Sequence, residues 1–303
     1  MSKSITDPWA EKTVIDKDDL REYIFEINSW VPEDSKLKVN SYCVKPNFDT
    51  LNVDGFIKYL RDQFHLFAFP KAKRKDMSVP GIEAQEAAAP GSNPQTDGKL
   101  GELILFVLVE AVLELPIVCH KISLKQEPVQ EVKGSDGLFF GTFEGSESLA
   151  IGEAKIVKRR SQAINSALDS TERFHGKGSR AKKRHELNVA ASTLSEDLTE
   201  EETEKILEAI SPEPSPQRII HPIFVGYEED WLHDIQVECN GPDDLRNSIS
   251  ERLQNTDIEN TVKQKIKDEY DELEKHWVVF FLFPFEDVRQ FKEELHQAIY
   301  PHA

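Results

Sequence analysis

The sequence predicts an α/β fold whose core runs helix, strand, strand, strand, helix, with an extended mixed sheet and extra helices. An apolar run over 98–115 that stops at Pro116 indicates a buried helix. The segment 117–125 alternates polar and apolar side chains over 121–125, and 137–143 and 149–157 are mainly apolar. These three segments predict strands, and 160–174 predicts the helix that follows them.

The segments outside this core predict three parts of the chain. Residues 1–70 have a helical pattern, a strand at 37–44 and a second helix, which predicts an N-terminal α/β extension. Residues 71–96 are rich in Pro, Gly, Ala, Ser and charge, which predicts a flexible linker or loop. Residues 97–303 then form the main domain, with helical additions and late strands at 219–225 and 277–283 that extend its sheet.

Two charged side chains lie in the strand predicted over 149–157. Glu153 and Lys155 are two residues apart and therefore point to the same side, while the rest of the strand is apolar. Burying a charged side chain costs roughly several kcal/mol of stability. An interaction with a metal, a partner or a charged substrate must offset this cost. Asp136, at the start of the preceding strand, is a candidate neighbour. The alternative is a cross-strand surface pair.

Two carboxylates that converge on one point are suited to Mg²⁺, or to Mn²⁺, because these ions prefer oxygen ligands. A nearby lysine can orient or deprotonate a water, or neutralise charge that develops in the reaction. Glu102 lies in the first turn of the predicted helix, where an acid also complements the helix dipole. Both interpretations of Glu102 stay open on its position alone.

Asp136 followed by Glu153-Ala154-Lys155 resembles the signature of the PD-(D/E)xK nucleases, with Ser135 where that family often has proline. The resemblance implies a restriction-endonuclease-like fold and metal-dependent cleavage of DNA. It implies a catalytic set that includes Glu102, because these nucleases commonly take a further metal-binding acid from the helix before the core hairpin. The implied catalytic residues are Glu102, Asp136, Glu153 and Lys155, of which the three acids bind the metal.

Five further segments follow one another along the chain: 101–106, 121–125, 133–137, 152–155 and 221–227. Together they resemble the HamA family, the nuclease subunits of the Hachiman anti-phage defence system. This resemblance implies a bacterial defence nuclease that acts with HamB, a superfamily-2 helicase, and degrades DNA. The chain has no Walker A loop of its own, so any ATP-driven step requires a partner.

The net charge of −18 argues against a general nucleic-acid binder, but the basic residues are clustered. Lys158, Arg159 and Arg160 follow the candidate site and predict DNA contacts, the alternative being a solvated helix and loop. Lys121 and Lys125 could reach a phosphate or could simply solvate an edge strand. The acidic remainder would repel stray DNA or face a basic partner.

The composition predicts a cytoplasmic protein without a membrane segment. The N-terminus is polar, and the three cysteines form no C-x-x-C pair, which argues against disulfides and structural zinc. Two further interpretations compete with a defence nuclease. One is a nuclease-like regulatory or interaction subunit that clamps a helicase partner, with chemistry secondary. The other is a stand-alone restriction enzyme, which the sequence disfavours because no DNA-reading module is evident.

Overall fold

The computed structural model describes residues 7–33, 35–88, 93–120, 136–175, 194–195, 197–210 and 218–301. The strands are β1 (Ile24–Trp30), β2 (Leu37–Val44), β3 (Pro46–Asn47), β4 (Thr50–Leu51), β5 (Ile117–Cys119), β6 (Gly137–Phe143), β7 (Ser146–Ile156), β8 (Arg218–Glu228) and β9 (Trp277–Phe285). The α-helices are α1 (Lys17–Arg21), α2 (Val53–Ala68), α3 (Lys71–Lys75), α4 (Pro80–Ala88), α5 (Lys99–Leu108), α6 (Arg160–His175), α7 (Glu200–Ile210), α8 (Trp231–Glu238), α9 (Pro242–Gln254), α10 (Ile258–Glu269) and α11 (Val288–Ile299).

The described strands form one seven-stranded mixed sheet and a separate two-stranded hairpin of β3 and β4. The order in the large sheet is β1-β2-β9-β8-β7-β6-β5. The four strands β2, β9, β8 and β7 are mutually parallel, and the pairs β1–β2, β7–β6 and β6–β5 are antiparallel. The predicted mixed α/β fold is therefore confirmed, and both late strands extend the sheet as expected.

Helices cover both faces of the sheet, which explains why its central strands are apolar on both sides. On one face, α2, α5, α9 and α11 pack on residues such as Phe224 and Phe283. On the other face, α6 and α10 pack on Ile223, Val225 and Phe280. Alternation along β7 therefore assigns each of its side chains to one of two different helical layers.

The N-terminal extension is part of the same sheet. Strand β2 pairs in parallel with β9 from Leu37 opposite Val278 to Ser41 opposite Leu282. Helix α2 packs through Phe56, whose ring lies 5.5 Å from that of Phe283 and is parallel to it within 10°. The segment predicted as an addition thus completes both the sheet and the core.

The flexible linker predicted over 71–96 is wrong for much of its length, because this segment contains α3, α4 and a 3₁₀ turn at Pro94–Thr96. The carboxylate of Asp197 accepts hydrogen bonds from the backbone N–H groups of Lys71, at 2.5 Å, and Ala72, at 2.7 Å. Ala84 of α4 is fully buried. These helices are held by distant contacts, so local periodicity gave no sign of them.

Two other predicted elements differ from the structure in extent. The helix over 98–115 is an α-helix only to Leu108 and continues as a π-helical turn over Val109–Leu113. The strand predicted over 117–125 is described only as Ile117–Cys119, and residues 121–125 lie outside the described part of the chain. None of the helices within the described ranges is long and apolar enough to cross a membrane.

Candidate active site

The site lies where β6 begins, because β7 continues beyond that point without a partner strand on that side within the described residues. The two strands pair from Phe143 opposite Ser146 to Gly137 opposite Gly152. The backbone N–H of Asp136 donates to the carbonyl of Gly152 at 2.9 Å. Further along β7, past Gly152, the backbone N–H of Ala154 donates a hydrogen bond to the Asp136 carboxylate at 2.8 Å. The carboxylate therefore accepts a backbone hydrogen bond at a point where β6 no longer pairs with β7. This bond fixes the carboxylate at the edge of β7.

Glu153 and Lys155 lie on one face of β7, as alternation predicted. They are paired in register with Ile223 and Val225 of β8, whose side chains contact α6. The side chains of Glu153 and Lys155 are 15% and 29% exposed, and the Lys155 ammonium donates a hydrogen bond to the Glu153 carboxylate. The prediction of a strand inside the sheet is confirmed, because β7 lies between β6 and β8.

The electrostatics of Glu153 show that it shares its surroundings with a second acid. Burial raises the pKa of Glu153, and the negative charge of Asp136 raises it further. The Lys155 charge and hydrogen bonds from Lys155 and Ser170 oppose this increase in the pKa. A cation between the two carboxylates would relieve both their desolvation and their repulsion.

Helix α5, which carries Glu102, lies on the opposite face of β7. A Cβ placed on Gly101 would lie 3.2 Å from the Cβ of Ala154, so the helix backbone packs directly on that side chain. Glu102 is half-buried. Burial raises the pKa of Tyr300, near the end of the chain, and the negative charges of Asp97 and Glu102 raise it further. The structure therefore places Glu102 one residue from Gly101, which contacts Ala154, and close enough to Tyr300 for its charge to act on that side chain.

The acidic groups that the structure brings together are Asp136 and Glu153. Considering the described residues alone, no three histidine, cysteine, aspartate or glutamate side chains are arranged to hold a metal ion together. Asp136 lies at the open strand edge, between the layer of α5 and the layer of α6. The role of Glu102 as the third metal-binding acid stays a prediction.

The basic residues after β7 are largely paired with acids at the end of β8. The Lys158 ammonium lies 2.5 Å from Glu228, and Arg160 donates to Glu229 at 3.0 Å. The Arg160 guanidinium also lies over the ring of Tyr227, 5.6 Å from its centroid. Arg159 is exposed. Their role in DNA binding stays a prediction, as it does for Lys121 and Lys125, which lie outside the described residues.

Several functional candidates were missed from the sequence. Ser170 on α6 is one of the groups that oppose the increase in the pKa of Glu153. The signal for it was the spacing of Ser166, Ser170 and Arg173, which places them along one side of a helix.

Three histidines from three elements form a second unpredicted cluster. The Nε2 atoms of His175 and His221 lie 2.7 Å apart, and the ring of His276 stacks on His175 with centroids 4.2 Å apart. A fourth histidine, His120, is buried elsewhere, with its Nδ1 3.0 Å from the Phe67 carbonyl. These side chains are distant in sequence, so no local pattern could indicate their contacts.

The fold and the site define a mixed α/β protein with an acidic pair and a lysine gathered at the edge of a central strand. The HamA family model matches residues 17–299, nearly the whole sequence, and the chain belongs to the HamA family. This confirms the resemblance seen in the sequence and indicates a subunit of the Hachiman defence system, which implies a defence-system partner. No curated protein matches the chain.

Proposed function

We propose that this protein is a metal-dependent deoxyribonuclease of the PD-(D/E)xK type, the effector subunit of a bacterial anti-phage complex with a superfamily-2 helicase. The observation that carries the proposal is the meeting of Asp136, Glu153 and Lys155 around one strand edge. Membership of the HamA family supports the defence role. Glu102 is the proposed third acid, one turn into the helix that packs behind Ala154.

The residues present suit Mg²⁺ or Mn²⁺. Asp136 and Glu153 offer oxygen ligands, and their mutual repulsion in a partly buried place is the condition that a hard cation relieves. When bound, the metal would polarise the scissile phosphate and lower the pKa of a bound water. Glu153 lies on β7, and Asp136 directly precedes β6 and is hydrogen-bonded to the backbone of β7, so the protein itself holds the two carboxylates close together.

The chain's own groups have distinct tasks in this proposal. The Ala154 N–H fixes the Asp136 carboxylate by a hydrogen bond, so that this acid does not need to reorganise. The Lys155 ammonium contacts Glu153 and points into the same space, where it can hold or release a proton beside the attacking water. Its positive charge also offsets charge that develops on the phosphate.

Two observations support the proposed helicase partner: the family to which the chain belongs and the net charge of the chain. Its net charge of −18 disfavours strong DNA binding by the subunit alone. The ion pairs of Lys158 and Arg160 reduce the positive field beside the site further. A helicase that binds the DNA and delivers a strand to the site would compensate for the weak DNA binding of this subunit. The proposed DNA contacts are therefore a short set: Lys121, Lys125, Lys158, Arg159 and Arg160.

The same ion pairs also favour a second candidate function, a nuclease-like subunit that regulates or clamps a helicase while its chemistry is secondary. The two candidates differ in what the site residues do. If the subunit acts by cleavage, alanine at Lys155 leaves partner binding intact and removes protection of the cell from phage. If it acts by clamping, the same substitution leaves protection intact.

The direct test compares Lys155→Ala and Glu153→Gln with the wild-type chain in a Mg²⁺-dependent DNA cleavage assay, with the helicase subunit and ATP present. We expect a loss of roughly a hundredfold or more, because a positioned proton-transfer group contributes at least that factor. Lys265→Ala is the matched control, since Lys265 is a 21%-exposed lysine paired with Glu269 far from this site. Cleavage by both site variants at the wild-type rate would falsify the proposal.

A further inference from the structure

The hairpin of β3 and β4 presents an aromatic side chain to solvent. Residues 46–47 pair with residues 50–51, so Phe48 is the first of the two turn residues. Phe48 is 78% exposed, and its φ of 58° lies in the left-handed region. Glycine or asparagine is usual in that conformation, and a bulky side chain there is strained. Neither burial nor backbone preference therefore explains a phenylalanine at this turn.

A second exposed apolar side chain lies beside this hairpin. Val237 of α8 is 76% exposed. Gln236, the residue before it, accepts a hydrogen bond from the Leu51 N–H of β4 at 2.8 Å. After Val237, the Gly241 N–H donates to the carboxylate of the second turn residue, Asp49, at 2.7 Å. Val237 therefore lies in a segment that is bonded to the hairpin on both sides.

The two segments that form this surface, 46–51 and 231–244, are acidic. They contain no lysine or arginine. Their exposed carboxylates are Asp49, Asp234, Glu238, Asp243 and Asp244. We call Phe48, Val237 and these carboxylates the Phe48 surface. Single exposed apolar side chains are common, but an aromatic side chain on a hydrogen-bonded turn within a charged border is typical of an interface anchor with its polar rim.

The charge of the Phe48 surface distinguishes between possible partners. Its carboxylates would repel a nucleic acid, because contacts to phosphates need cationic side chains. A second copy of the chain would bring the same carboxylates, and the same net charge of −18, against each other. A protein that offers an apolar pocket bordered by lysine and arginine is complementary both to the ring and to its rim.

We propose that the Phe48 surface is the docking site for the helicase subunit, which contributes an apolar pocket with a basic border. This inference rests on the proposed function and adds where the partner binds. Phe48 inserts into the pocket, and the hydrogen bonds of the turn hold it in place before binding, which reduces the entropy lost on association. The carboxylates steer the approach of the partner and fix its orientation.

The position of the Phe48 surface leaves room for catalysis. Helix α9, which begins within the acidic segment, contacts β1 and β3. Three strands, β2, β9 and β8, separate β1 from β7, which carries Glu153 and Lys155. A partner docked at the Phe48 surface therefore does not need to cover the acidic pair.

The experiment measures the affinity and the association rate of the purified helicase subunit for the full chain, by surface plasmon resonance at low and at high salt. Phe48→Gly removes the ring, and glycine adopts a positive φ without strain, so thermal melting should match that of the wild type. Its affinity should fall roughly thirtyfold or more, the loss typical of an aromatic hot spot. Val237→Ser should weaken binding by a smaller factor.

A charge reversal tests the rim separately. Glu238→Lys should slow association roughly threefold or more at low salt, and the effect should shrink at high salt, because a rim charge acts mainly by steering. Leu207→Ser and Glu208→Lys are the matched controls, an exposed apolar residue and an exposed acid on α7. That helix packs on Phe140 and Ile151 of β6 and β7, at the other side of the sheet from α9.

The results separate this inference from the proposed function. If the wild-type chain binds the helicase and both Phe48→Gly and Glu238→Lys bind as the controls do, the inference is overturned while the proposed complex stands. If the wild-type chain does not bind the helicase, both fall. A dimer of the full chain in analytical ultracentrifugation that Phe48→Gly dissociates would assign the surface to a second copy and would also overturn the inference.

DNA cleavage gives an independent readout. Phe48→Gly should raise the helicase concentration needed for half-maximal cleavage and leave the rate at saturating helicase unchanged, whereas Lys155→Ala should stay inactive at saturation. A rate for Phe48→Gly that stays low at saturating helicase would contradict a docking role. If the wild-type chain binds the helicase through Phe48 but does not cleave, the nuclease function falls and the docking site stands.

Discussion

At the scale of single residues, the buried acid Glu110 is the most unusual group outside the candidate site. It lies in the π-helical turn after α5 and is 1% exposed. One carboxylate oxygen accepts from the N–H groups of Val14 and Ile15 at 2.7 and 3.2 Å, and the other accepts from that of Ile117 at 3.0 Å. Glu110 therefore ties the N-terminal segment and β5 to the central helix.

Glu110 makes the stability of the protein depend on pH. Burial raises the pKa of Glu110 from 4.5 to about 7, although its three backbone hydrogen bonds and Arg74 oppose the change. Because the folded pKa is the higher one, the folded state binds the proton more tightly. The stabilisation is complete below about pH 4.5 and is lost as the pH rises to about 7, with a size of about 3 kcal/mol.

The buried His120 has the opposite effect over nearly the same range. Burial lowers the pKa of His120 from 6.5 to about 4. Its contribution is present above pH 6.5 and is lost as the pH falls to about 4, because the folded state resists protonation of the ring. Between about pH 4.5 and 6.5 the contribution of Glu110 to stability falls with pH while that of His120 rises. In the wild-type protein these two residues together should therefore change the free energy of unfolding only weakly with pH.

We therefore predict that the stability of Glu110→Gln depends on pH mainly through His120, because the opposing contribution of Glu110 is removed. The free energy of unfolding of this variant should rise by up to about 3 kcal/mol from pH 4 to 6.5. Below about pH 4.5 the variant should also be less stable than the wild type by about 1–3 kcal/mol, because both oxygens accept N–H bonds and an amide NH₂ cannot replace either. This difference should shrink as the pH rises to about 7, because only the wild type loses the contribution of Glu110. Urea unfolding at several pH values measures this. A pH profile parallel to that of the wild type would contradict the assignment.

At the scale of elements, the position of β7 depends on how closely α5 approaches it. A Cβ at Gly152 would lie 2.7 Å from the Cδ2 of Leu105, closer than carbon atoms can pack. At Gly101 the helix backbone similarly contacts Ala154. The two glycines bring the helix with Glu102 and the strand with Glu153 to their close spacing, so the geometry of the site depends on residues that carry no chemistry.

We predict that Gly152→Ala destabilises the protein by about 1–3 kcal/mol, the usual cost of overpacking a core. It should also reduce cleavage, because the strain falls one residue from Glu153. In the double variant Gly152→Ala with Leu105→Val, the Leu105 Cδ2 methyl that clashes with the added Cβ is absent. This variant should therefore recover part of the stability. Gly81→Ala is the control, since no atom lies within 4 Å of its added Cβ. Equal melting temperatures for Gly152→Ala and the wild type would show that the helix can move away freely.

At the scale of the whole molecule, the first part of the chain and the part with the site are one folding unit. Strand β2 covers one side of β9 in the central sheet. The Phe56 ring of α2 lies between Phe283 of β9 and Phe291 of α11, with centroid distances of 5.5 and 6.3 Å. The predicted boundary near residue 97 thus crosses both a hydrogen-bonded strand pair and a shared core.

We predict that a chain beginning at residue 97 does not fold by itself. It would leave the edge of β9 without its partner and expose the apolar surface that α2 covers, which favours aggregation. Size-exclusion chromatography and thermal melting by circular dichroism test this. The full chain should be compact with a cooperative transition, and the truncated chain should aggregate or melt without one. A monomeric, cooperatively melting fragment would mean that the predicted domain is autonomous.

The sequence by itself determined the elements whose apolar pattern is strong. Residues 137–143 were predicted as a strand and form β6, and the helix that begins at Arg160 was predicted to within a residue at both ends. It also determined that Glu153 and Lys155 share a face, because alternation along a strand is a local property. The motif that supports the family is likewise contiguous within short segments, and family membership is confirmed.

The tertiary structure alone decided how these pieces meet. Short helices such as α3 depend on Asp197, a hydrogen-bond partner more than a hundred residues away. Two features of the site each require a specific register or helix packing: the contact of α5 with the Ala154 side of β7, and the hydrogen bond from Ala154 to Asp136 at the edge of that strand. The physical reason is that hydrophobic pattern specifies which face of an element is buried, whereas contacts between elements depend on side-chain volumes and partners that no local window contains.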